Sequence, residues 1–409
     1  MTMAPSPMPP IPVPPGPAPL AVDGDELDLC VSCGLCLPHC PTYRVTGDEA
    51  ASPRGRIAAM RLAQESGHPL DRRLAEVIDS CVGCRGCETA CPSGVPFGRL
   101  LEGTRRSLAA AGHGPPRWLR AALAVASRPR LLKPATSLLA VAQRLGVARG
   151  ALPGLPRLPV RPRPLAATGD DAWLHPGCVM DAWLRPQHRA AMVALAATGV
   201  GVCLPDHSRC CGALHLHAGL HDRGAALARS TIAEFAADDA PVIVDSAGCG
   251  AAMKEYGHLL GTYAAQSFSS RVRDVHEVLA DAVVDGRLRV ARRLPVTVAV
   301  QDPCHLRHAQ RVHGAVRVVL EAVVERVVEL DDEGLCCGAG GAYAATHKQT
   351  ATAIRELKLA AIERSGAQVI ASANPGCWLH LRATGLDVRH PVELVAEAVV
   401  RDEEGADGR

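Results

Sequence analysis

The sequence is poor in aromatic residues, nearly balanced in charge and without a long apolar run. Phe, Trp and Tyr make up 3% of its 409 residues, too few for the stacking platforms that bind single-stranded nucleic acid. A net charge of +2 provides no overall field to attract polyanions, so we expect no nucleic-acid partner. No stretch reaches the roughly 18 apolar residues of a membrane-spanning helix. No G-x-G-x-x-G motif follows a predicted strand, so nothing indicates a flavin or nicotinamide site.

The first twenty residues lack charged side chains altogether. They contain nine prolines and no continuous apolar segment of the kind found in secretion signals. We therefore predict a disordered, proline-rich tail over residues 1–22. Without a secretion signal, the 17 cysteines do not indicate a secreted disulfide scaffold. We expect a cytoplasmic protein whose thiols stay reduced and are free to bind metal.

Eight of the cysteines form two runs with the same spacing. Each run has the pattern C-x2-C-x2-C-x3-C-P, and the second begins 51 residues after the first. Such repetition indicates an internal duplication. The apolar residues between the runs, from Pro53 to about Asp79, predict helices that connect two metal-binding loops. The first run is Cys30, Cys33, Cys36 and Cys40, and the second is Cys81, Cys84, Cys87 and Cys91.

This spacing resembles that of bacterial two-cluster ferredoxins. In that family three closely spaced thiolates bind one 4Fe–4S cluster, and the fourth, before the proline, crosses to the other cluster. Structural zinc is the alternative, although zinc sites usually pair two C-x2-C knuckles. Two clusters held in this way lie close enough to exchange electrons. The resemblance assigns Cys30, Cys33, Cys36 and Cys91 to one cluster, and Cys81, Cys84, Cys87 and Cys40 to the other.

Residues 98–168 differ in composition from the rest of the chain. They carry thirteen Lys or Arg against one acid, Glu102, and end in a proline-rich stretch. Two helices are predicted inside, near 117–126 and 135–149, and the whole of 101–168 is interpreted as a basic linker. A basic face of this kind is solvated, docks a partner protein or lies on a membrane surface. The sequence leaves these three interpretations open.

A second duplication occupies the remainder of the chain. Cys178, Cys210 and Cys211 recur 126 residues later, and the fourth member recurs after 128 residues. The later set is Cys304, Cys336, Cys337 and Cys377, and the fourth member of the earlier set is Cys249. Each half is predicted to read strand–helix–strand–helix–strand, with parallel strands. The strands are predicted at 171–175, 200–204, 241–245, 295–301, 326–330 and 368–372, and helices are predicted near 189–197 and 315–324.

Each of these eight cysteines follows a predicted strand. Ligands of open parallel sheets bind beyond the carboxyl ends of the strands, so we expect four thiols of each half to converge on one crevice. Helix N-termini that follow the strands favour thiolates over thiols. The alternative is a set of buried structural thiols, which repetition at matched strand ends argues against. Cys203 has no counterpart, and we interpret it as a strand thiol and not a ligand.

The duplicated C-x31-C-C-G pattern resembles the cysteine-rich "CCG" domain of heterodisulfide reductases and several dehydrogenase subunits. Ferredoxin motifs followed by two such domains are similar to the glycolate oxidase iron–sulfur subunit family. The supporting stretches are CGLCLPHCPTYRVTGDEAASPRGRI at 33–57, CCGALHLHAG at 210–219, SAGCGAAMKEYG at 246–257 and CCGAGGAYA at 336–344. The resemblance implies an α+β multidomain fold: a helical two-cluster ferredoxin-like domain, then two duplicated α/β CCG domains with parallel strands. The predicted limits are 23–100 for the ferredoxin-like domain, 101–168 for the linker, and 169–290 and 291–402 for the CCG domains.

The resemblance also implies a function. A protein of this kind carries two 4Fe–4S clusters, and further iron–sulfur clusters in the CCG domains. It passes electrons from FAD-containing dehydrogenase subunits towards a quinone, peripherally on the inner face of the cell membrane. FAD is then bound by the partners only, and this chain contributes no catalytic base. The alternatives are a heterodisulfide-reductase-like thiol/disulfide redox subunit, the iron–sulfur subunit of a lactate or glycerol-3-phosphate dehydrogenase, and a structural zinc scaffold.

One feature departs from the wider CCG superfamily. Many members end each half in C-x2-C, but here Ala252 and His380 occupy the positions of the extra cysteines. A five-thiolate cluster is therefore disfavoured, and a four-thiolate cluster or a partly degenerate site is expected. Histidines near the cysteines are interpreted as core residues, with cluster ligation or proton transfer as the alternative. They are His215, His217, His221, His305, His308 and His313, of which His215 and His217 are the best candidates.

Overall fold

The computed structural model describes residues 20–65, 70–147, 154–207 and 209–400. The predicted tail lies outside the described residues as far as residue 19. Its last three residues are placed against α6, since Ala21 N donates to Ser107 Oγ at 2.7 Å and Leu20 is buried. The first helices are α1 Gly24–Asp28, α2 Pro41–Thr46, α3 Pro53–Glu65, α4 Arg72–Asp79, α5 Gly86–Thr89 and α6 Phe97–Leu108, with a 3-10 turn at Glu49–Ala51.

A buried cluster joins these helices around the two cysteine loops. Met60 and Ile78, on α3 and α4, are fully buried, and they pack with Leu100 of α6. The same cluster includes Cys81 and Cys87. The apolar faces of α3 and α4 therefore hold the two loops in place, as the sequence between the cysteine runs predicts.

The basic segment is folded and packed over much of its length. It forms a π-helical turn at Ala109–His113 and the helices α7 Arg117–Ala126 and α8 Pro129–Arg144. The first helix agrees with its predicted range, and the second begins six residues earlier than predicted, at a proline that suits a helix start. The extended residues after it lie along α8, where Gln143 bonds the backbone of Pro156 and Leu158.

The cysteine-rich region contains two four-stranded parallel sheets. The first has the order β2-β1-β3-β4 and the second the order β6-β5-β7-β8, and every pairing is parallel. The strands are β1 Ala172–Leu174, β2 Val202–Cys203, β3 Val242–Val244, β4 Val272–Asp274, β5 Leu294–Val300, β6 Val324–Glu329, β7 Val369–Ala371 and β8 Val388–Arg389. All six predicted strands are present, although most are shorter than predicted.

The prediction of three strands per half was incomplete, because β4 and β8 each add an edge strand. Both have only two or three residues, too few to show an alternating pattern in the sequence. The helices of this region begin with α9 Val179–Trp183, α10 Arg185–Ala196, α11 Ala213–His217, α12 His221–Glu234, α13 Ala247–Lys254, α14 Tyr256–Leu260, α15 Tyr263–Arg271 and α16 Val275–Val284. They continue with a π-helical turn at His305–Gln310 and with α17 His313–Val323, α18 Tyr343–Thr346, α19 Lys348–Ser365, α20 Pro375–Arg382 and α21 Pro391–Val399.

The two halves share one hydrophobic core. Its buried members include Leu174 and Leu279 from the first half with Val298 and Leu320 from the second. The halves also meet at the starts of two helices, where Ala247 N donates to the carbonyl of Ala373 at 3.2 Å. This junction brings the cysteine-bearing ends of both sheets together. The boundary predicted between the two CCG domains, at residues 290 and 291, therefore stays a prediction from the sequence repeat.

The ferredoxin-like module docks on the second half. Tyr343 donates to the carbonyl of Ser80 at 3.0 Å, and Thr89 bonds His308 at 2.8 Å. At Gly340 a side chain would meet the backbone of Val82, so only glycine allows this close approach. The proposed limit at residues 100 and 101 falls within α6, which continues from the module towards the cysteine-rich region.

No helix in the described ranges is both long and apolar enough to cross a membrane.

An ion pair between Asp332 and Lys358 lies beneath the loop that leads to Cys336. The carboxylate and ammonium groups are 2.6 Å apart and 4% and 1% exposed, although the angles of the contact fall outside hydrogen-bond geometry. Changing Asp332 to Ala leaves the ammonium buried without its partner. We expect the free energy of unfolding, measured in urea, to fall by about 3–5 kcal/mol.

The neighbouring acid provides a matched control. Asp331 bonds Arg364 at 2.7 Å, but both side chains are more than half exposed. Changing Asp331 to Ala should therefore lower the free energy of unfolding by at most about 1 kcal/mol. Equal losses for the two variants would show that burial of the Asp332 pair does not matter.

Candidate metal centres

The two cysteine runs surround two small cavities in the ferredoxin-like module. The first cavity, of about 30 Å³, is lined by Cys87 together with one whole predicted ligand set. The second, of about 10 Å³, is lined by the other set. The first set is Cys30, Cys33, Cys36 and Cys91, and the second set is Cys40, Cys81, Cys84 and Cys87. The fourth cysteine of each run thus lies at the cavity of the other run, although the ligand assignment itself stays a prediction.

A buried cation lies beside the second cavity. Arg56 is fully buried and donates to Thr42 Oγ1 at 3.2 Å and to Ser80 Oγ at 2.8 Å. Its Nη1 has no hydrogen-bond partner among the described residues. Burial raises the pKa of the Cys40 thiol, and the positive charge of Arg56 offsets part of this rise. A cluster bound by four thiolates is anionic, so a buried cation with a free N–H fits such a group.

All eight repeated cysteines of the duplicated region line one cavity. Its volume is about 1040 Å³, and its lining also includes Cys81 from the ferredoxin-like module. We expected a separate crevice in each half, but the structure has one cavity for both halves, because the two crevices merge where the halves meet. The eight are Cys178, Cys210, Cys211 and Cys249 from the first half, and Cys304, Cys336, Cys337 and Cys377 from the second.

The four thiols of the first half form two close pairs. Cys178 Sγ and Cys210 Sγ are 3.7 Å apart, and Cys211 Sγ and Cys249 Sγ are 3.2 Å apart. The hydrogen bond from Cys211 lowers the pKa of the Cys249 thiol to about 5, with help from His175. The pKa of Cys210 is also lowered, first by the hydrogen bond from Cys178. The arrangement therefore favours the thiolate, the form that binds iron, at two of the four sulfurs.

The second half repeats the arrangement around Cys336. The neighbouring Cys336 raises the pKa of Cys304, and the backbone N–H of Gly338 donates to Cys336 Sγ at 3.3 Å. Asn374 Nδ2 donates to Cys377 Sγ at 3.7 Å. These N–H donors beside the sulfurs suit an anionic cluster. In the described ranges no three His, Cys, Asp or Glu side chains form a site for a single metal ion.

One sulfur contact connects the ferredoxin-like module to this cavity. Cys84 and Cys336 are buried neighbours, and the proximity of Cys336 raises the pKa of Cys84 well above its usual value. Both belong to a small buried cluster that also contains Val82, Cys304 and Tyr343. The second predicted cubane site and the second CCG site are therefore direct neighbours.

The glycines of the two CCG motifs serve the fold more than a ligand. Gly212 and Gly338 have φ of 83° and 87°, which favours glycine. A side chain at either position would meet the backbone of the next long helix, at Gly224 or Ala351. The cysteine pairs are thus held close to α12 and α19.

Sequence reasoning missed two buried histidines near the cysteines. His175, at the end of β1, lies beside Cys249 and lowers the pKa of that thiol. Neither ring nitrogen of His175 has a hydrogen bond of good geometry in the described structure. His188 Nδ1 bonds Asp245 Oδ2 at 2.5 Å, and both are fully buried. His175 and Asp245 directly follow β1 and β3, which is the sequence signal for each pair, whereas His188 lies within α10.

The structure separates the predicted histidines into groups. His217 and His305 line the shared cavity, and His215 is buried beside Cys210, whose pKa it lowers. His308 bonds Thr89 in the domain interface. His221 and His313 are not part of the cavity lining, and Cys203 bonds the carbonyl of Ala172 at 3.3 Å away from the other cysteines.

Two family models match the chain at these sites. The family described as a 4Fe-4S dicluster domain matches residues 26–95, and the family described as a cysteine-rich domain matches residues 172–254 and 298–382. The glycolate oxidase iron–sulfur subunit of Escherichia coli is 33% identical over 93% of this chain and 97% of that protein. The chain belongs to the glycolate oxidase iron–sulfur subunit family.

Other relatives are similar along most of the chain. The probable glycolate oxidase iron–sulfur subunit of Bacillus subtilis is 32% identical over 88% of this chain and 89% of that protein. A component of the dihydromethanophenazine:CoB–CoM heterodisulfide reductase of Methanosarcina barkeri is 26% identical over 93% of this chain and 95% of that protein. The predicted fold class and the resemblance are confirmed, and the chain is an iron–sulfur electron-transfer subunit of an oxidoreductase complex.

Proposed function

We propose that this protein carries electrons from FAD-containing dehydrogenase subunits, which oxidise glycolate, to a quinone. The observation that supports it most is the packing of Cys84 and Cys336 in one buried cluster, which joins the ferredoxin-like module to the shared cavity. The chain's similarity to glycolate oxidase iron–sulfur subunits supports the choice of substrate. FAD and the substrate are bound by the partners in this proposal.

The order of electron flow follows from which cysteines are exposed. Cys33 is exposed, whereas Cys84 and Cys336 are buried. We propose that electrons enter at the cluster of Cys30, Cys33, Cys36 and Cys91, and move to the cluster of Cys40, Cys81, Cys84 and Cys87. They then cross from Cys84 to the site of Cys304, Cys336, Cys337 and Cys377. The site of Cys178, Cys210, Cys211 and Cys249 shares the same cavity and completes the path.

Purification of the native complex tests the donor side. The proposal expects flavoprotein subunits to copurify and glycolate to drive dye reduction by the complex. Lactate and glycerol 3-phosphate, supplied at the same concentration, serve as comparison donors. Reduction driven by either of them and not by glycolate would contradict the choice of substrate.

We also propose that the outer face of α8 lies on a membrane surface. Its exposed apolar side chains follow one face of the helix, and exposed arginines flank them on α7 and α8. Such a face suits an interfacial helix on anionic lipid. The exposed apolar side chains are Leu131, Leu138, Val141 and Leu145, and the arginines are Arg117, Arg120, Arg128 and Arg130.

Reversing these four arginines to Glu should abolish binding to anionic vesicles. Basic residues near such a surface contribute about 1 kcal/mol each, so affinity at low salt should fall by at least roughly 10³-fold. Vesicle cosedimentation of the purified complex measures the loss, which salt should mimic. Reversal of four exposed arginines elsewhere, Arg223, Arg229, Arg289 and Arg326, is the control. Loss of the flavoprotein partner with vesicle binding unchanged would instead assign this face to contact with that partner.

A further inference from the structure

The shared cavity has two chemically different walls. One wall carries the cysteines, and the opposite wall is made by α7 and α8. That second wall is apolar and is formed mainly by Leu119, Leu123, Leu132 and Leu139, with Trp118. A volume of about 1040 Å³ reaches the top of the range for pockets that enclose an organic ligand, roughly 300–1,000 Å³. An inorganic cluster takes its ligands from the cysteine wall, so the apolar wall faces a second, organic occupant.

The cavity also opens near the proposed membrane face. Trp118 lines the cavity and is 52% exposed, and Ala121 and Ala122 on the same helix are exposed and line it too. The mouth therefore lies beside the arginines of α7. An apolar molecule that leaves a bilayer under this face would meet the opening first.

A pair of proton-exchanging side chains connects the cavity with solvent. His217 Nδ1 and Glu102 Oε1 are 2.8 Å apart, and the two side chains are 31% and 35% exposed. His217 lines the cavity, and Arg105 holds its backbone carbonyl at 2.9 Å. Burial would raise the pKa of Glu102, but the hydrogen bond and charge of His217 lower it. The carboxylate thus stays ionised and able to accept a proton from water.

We propose that a quinone is reduced inside this cavity and that the Glu102–His217 pair delivers its protons. This rests on the proposed electron-transfer function and names the acceptor site for it. The quinone takes two electrons from the iron–sulfur clusters, one at a time, and two protons, and becomes a hydroquinone. Each proton leaves His217 for a quinone oxygen, and Glu102 passes a replacement proton from solvent to the imidazole. No other oxidant or reductant is needed.

The wall composition selects a quinone over an organic disulfide. A disulfide also accepts two electrons and two protons, but soluble biological disulfides carry charged groups. The wall formed by α7 and α8 offers such groups no charged partner, because its members are Leu, Ala, Val and Trp side chains and one threonine, Thr136, whose hydroxyl already accepts from Trp183. A flat apolar ring fits between this wall and His217 without leaving a charge buried.

The test compares acceptors that do and do not need protons. The full chain, with its clusters reduced by a chemical reductant, is mixed with ubiquinone-1 or with ferricyanide, and cluster oxidation is followed by absorbance. In His217→Gln and Glu102→Gln, oxidation by ubiquinone-1 should slow by about 10²-fold, the size of a lost proton-transfer step. Oxidation by ferricyanide, which takes no proton, should keep its rate. His258→Gln changes an exposed histidine outside the cavity and should change neither rate.

A second variant tests the position of the site. Ala122→Phe places a large side chain at the exposed mouth of the cavity, and Ala122→Ser is its matched control. Fluorescence quenching of a hydroxyquinoline N-oxide, a quinone analogue, should lose its saturable component in Ala122→Phe and keep it in Ala122→Ser. This readout needs no turnover.

Several results would overturn the inference. One is an equal rate of oxidation by ubiquinone-1 in wild type and His217→Gln, and another is an equal slowing of oxidation by ferricyanide in that variant. The others are unchanged binding of the quinone analogue in Ala122→Phe, and oxidation of the reduced clusters by glutathione disulfide but not by ubiquinone-1. The chemical reductant makes these results independent of the donor. A further outcome is that glycolate fails to reduce the clusters in the complex while the His217 and Glu102 variants still slow only the oxidation by ubiquinone-1. In that case the proposed substrate is wrong and the quinone site stands.

Discussion

Changing Cys40 to Ser should remove the cluster next to Cys81, Cys84 and Cys87 and leave the cluster next to Cys30. The Cys40 thiol is buried at the second cavity, although it belongs to the first cysteine run. A cubane needs four thiolates, so the loss of this one should lower the iron content by about four atoms per chain. Iron analysis and low-temperature EPR of the reduced full chain measure both effects.

The reciprocal variant is the control for this prediction. Cys91 lies at the first cavity with Cys30, Cys33 and Cys36, so Cys91→Ser should remove the other cluster. Cys203→Ser, which changes a thiol bonded to Ala172, should lose no iron. An EPR spectrum of Cys40→Ser that lacks only the Cys30-side cluster would contradict the crossed arrangement.

Changing Cys336 to Ser should stop electrons at the ferredoxin-like module. Cys336 packs near Cys84 across the domain interface, so the substitution would remove both a proposed ligand of the second CCG site and its link to the proposed cubane site of Cys84. We expect the ferredoxin-type EPR signals to remain after chemical reduction. Their oxidation by ubiquinone-1, followed by stopped-flow absorbance, should fall to background.

The equivalent position in the first half separates the two roles. Cys210 corresponds to Cys336 in the repeat, but its sulfur bonds Cys178, and it is not a member of the buried cluster that joins Cys84 to Cys336. Cys210→Ser should therefore keep a faster oxidation by ubiquinone-1 than Cys336→Ser. The opposite order of rates would place the electron entry at the first half.

The sequence predicted the parts of the site that depend on spacing. The cysteine runs, the duplicated C-C-G pattern and the six main strands are each encoded by residues close together in the chain. The crevice rule for parallel sheets correctly places cysteines such as Cys178 and Cys249 at strand ends. These features are local, so a single sequence contains them.

The shared cavity depends on contacts that no local pattern contains. It forms because Ala247 bonds Ala373 and because α7 and α8 cover the opening. The sequence of α8 shows apolar residues on several faces, and only packing decides that Leu132 points inward while Leu138 is exposed. For the same reason the segment 101–168 resembles a linker in sequence, although it forms one wall of the site. The bond between His217 and Glu102, 115 positions apart in the chain, is equally invisible to spacing.

The most direct measurement is low-temperature EPR of the native complex, frozen after glycolate is added without an acceptor. We expect EPR signals of reduced, magnetically interacting 4Fe–4S clusters. These signals should disappear when ubiquinone-1 is added, because it reoxidises the clusters. If dithionite produces these signals but glycolate does not, the clusters of this protein are not on the path from the substrate, and the account is wrong.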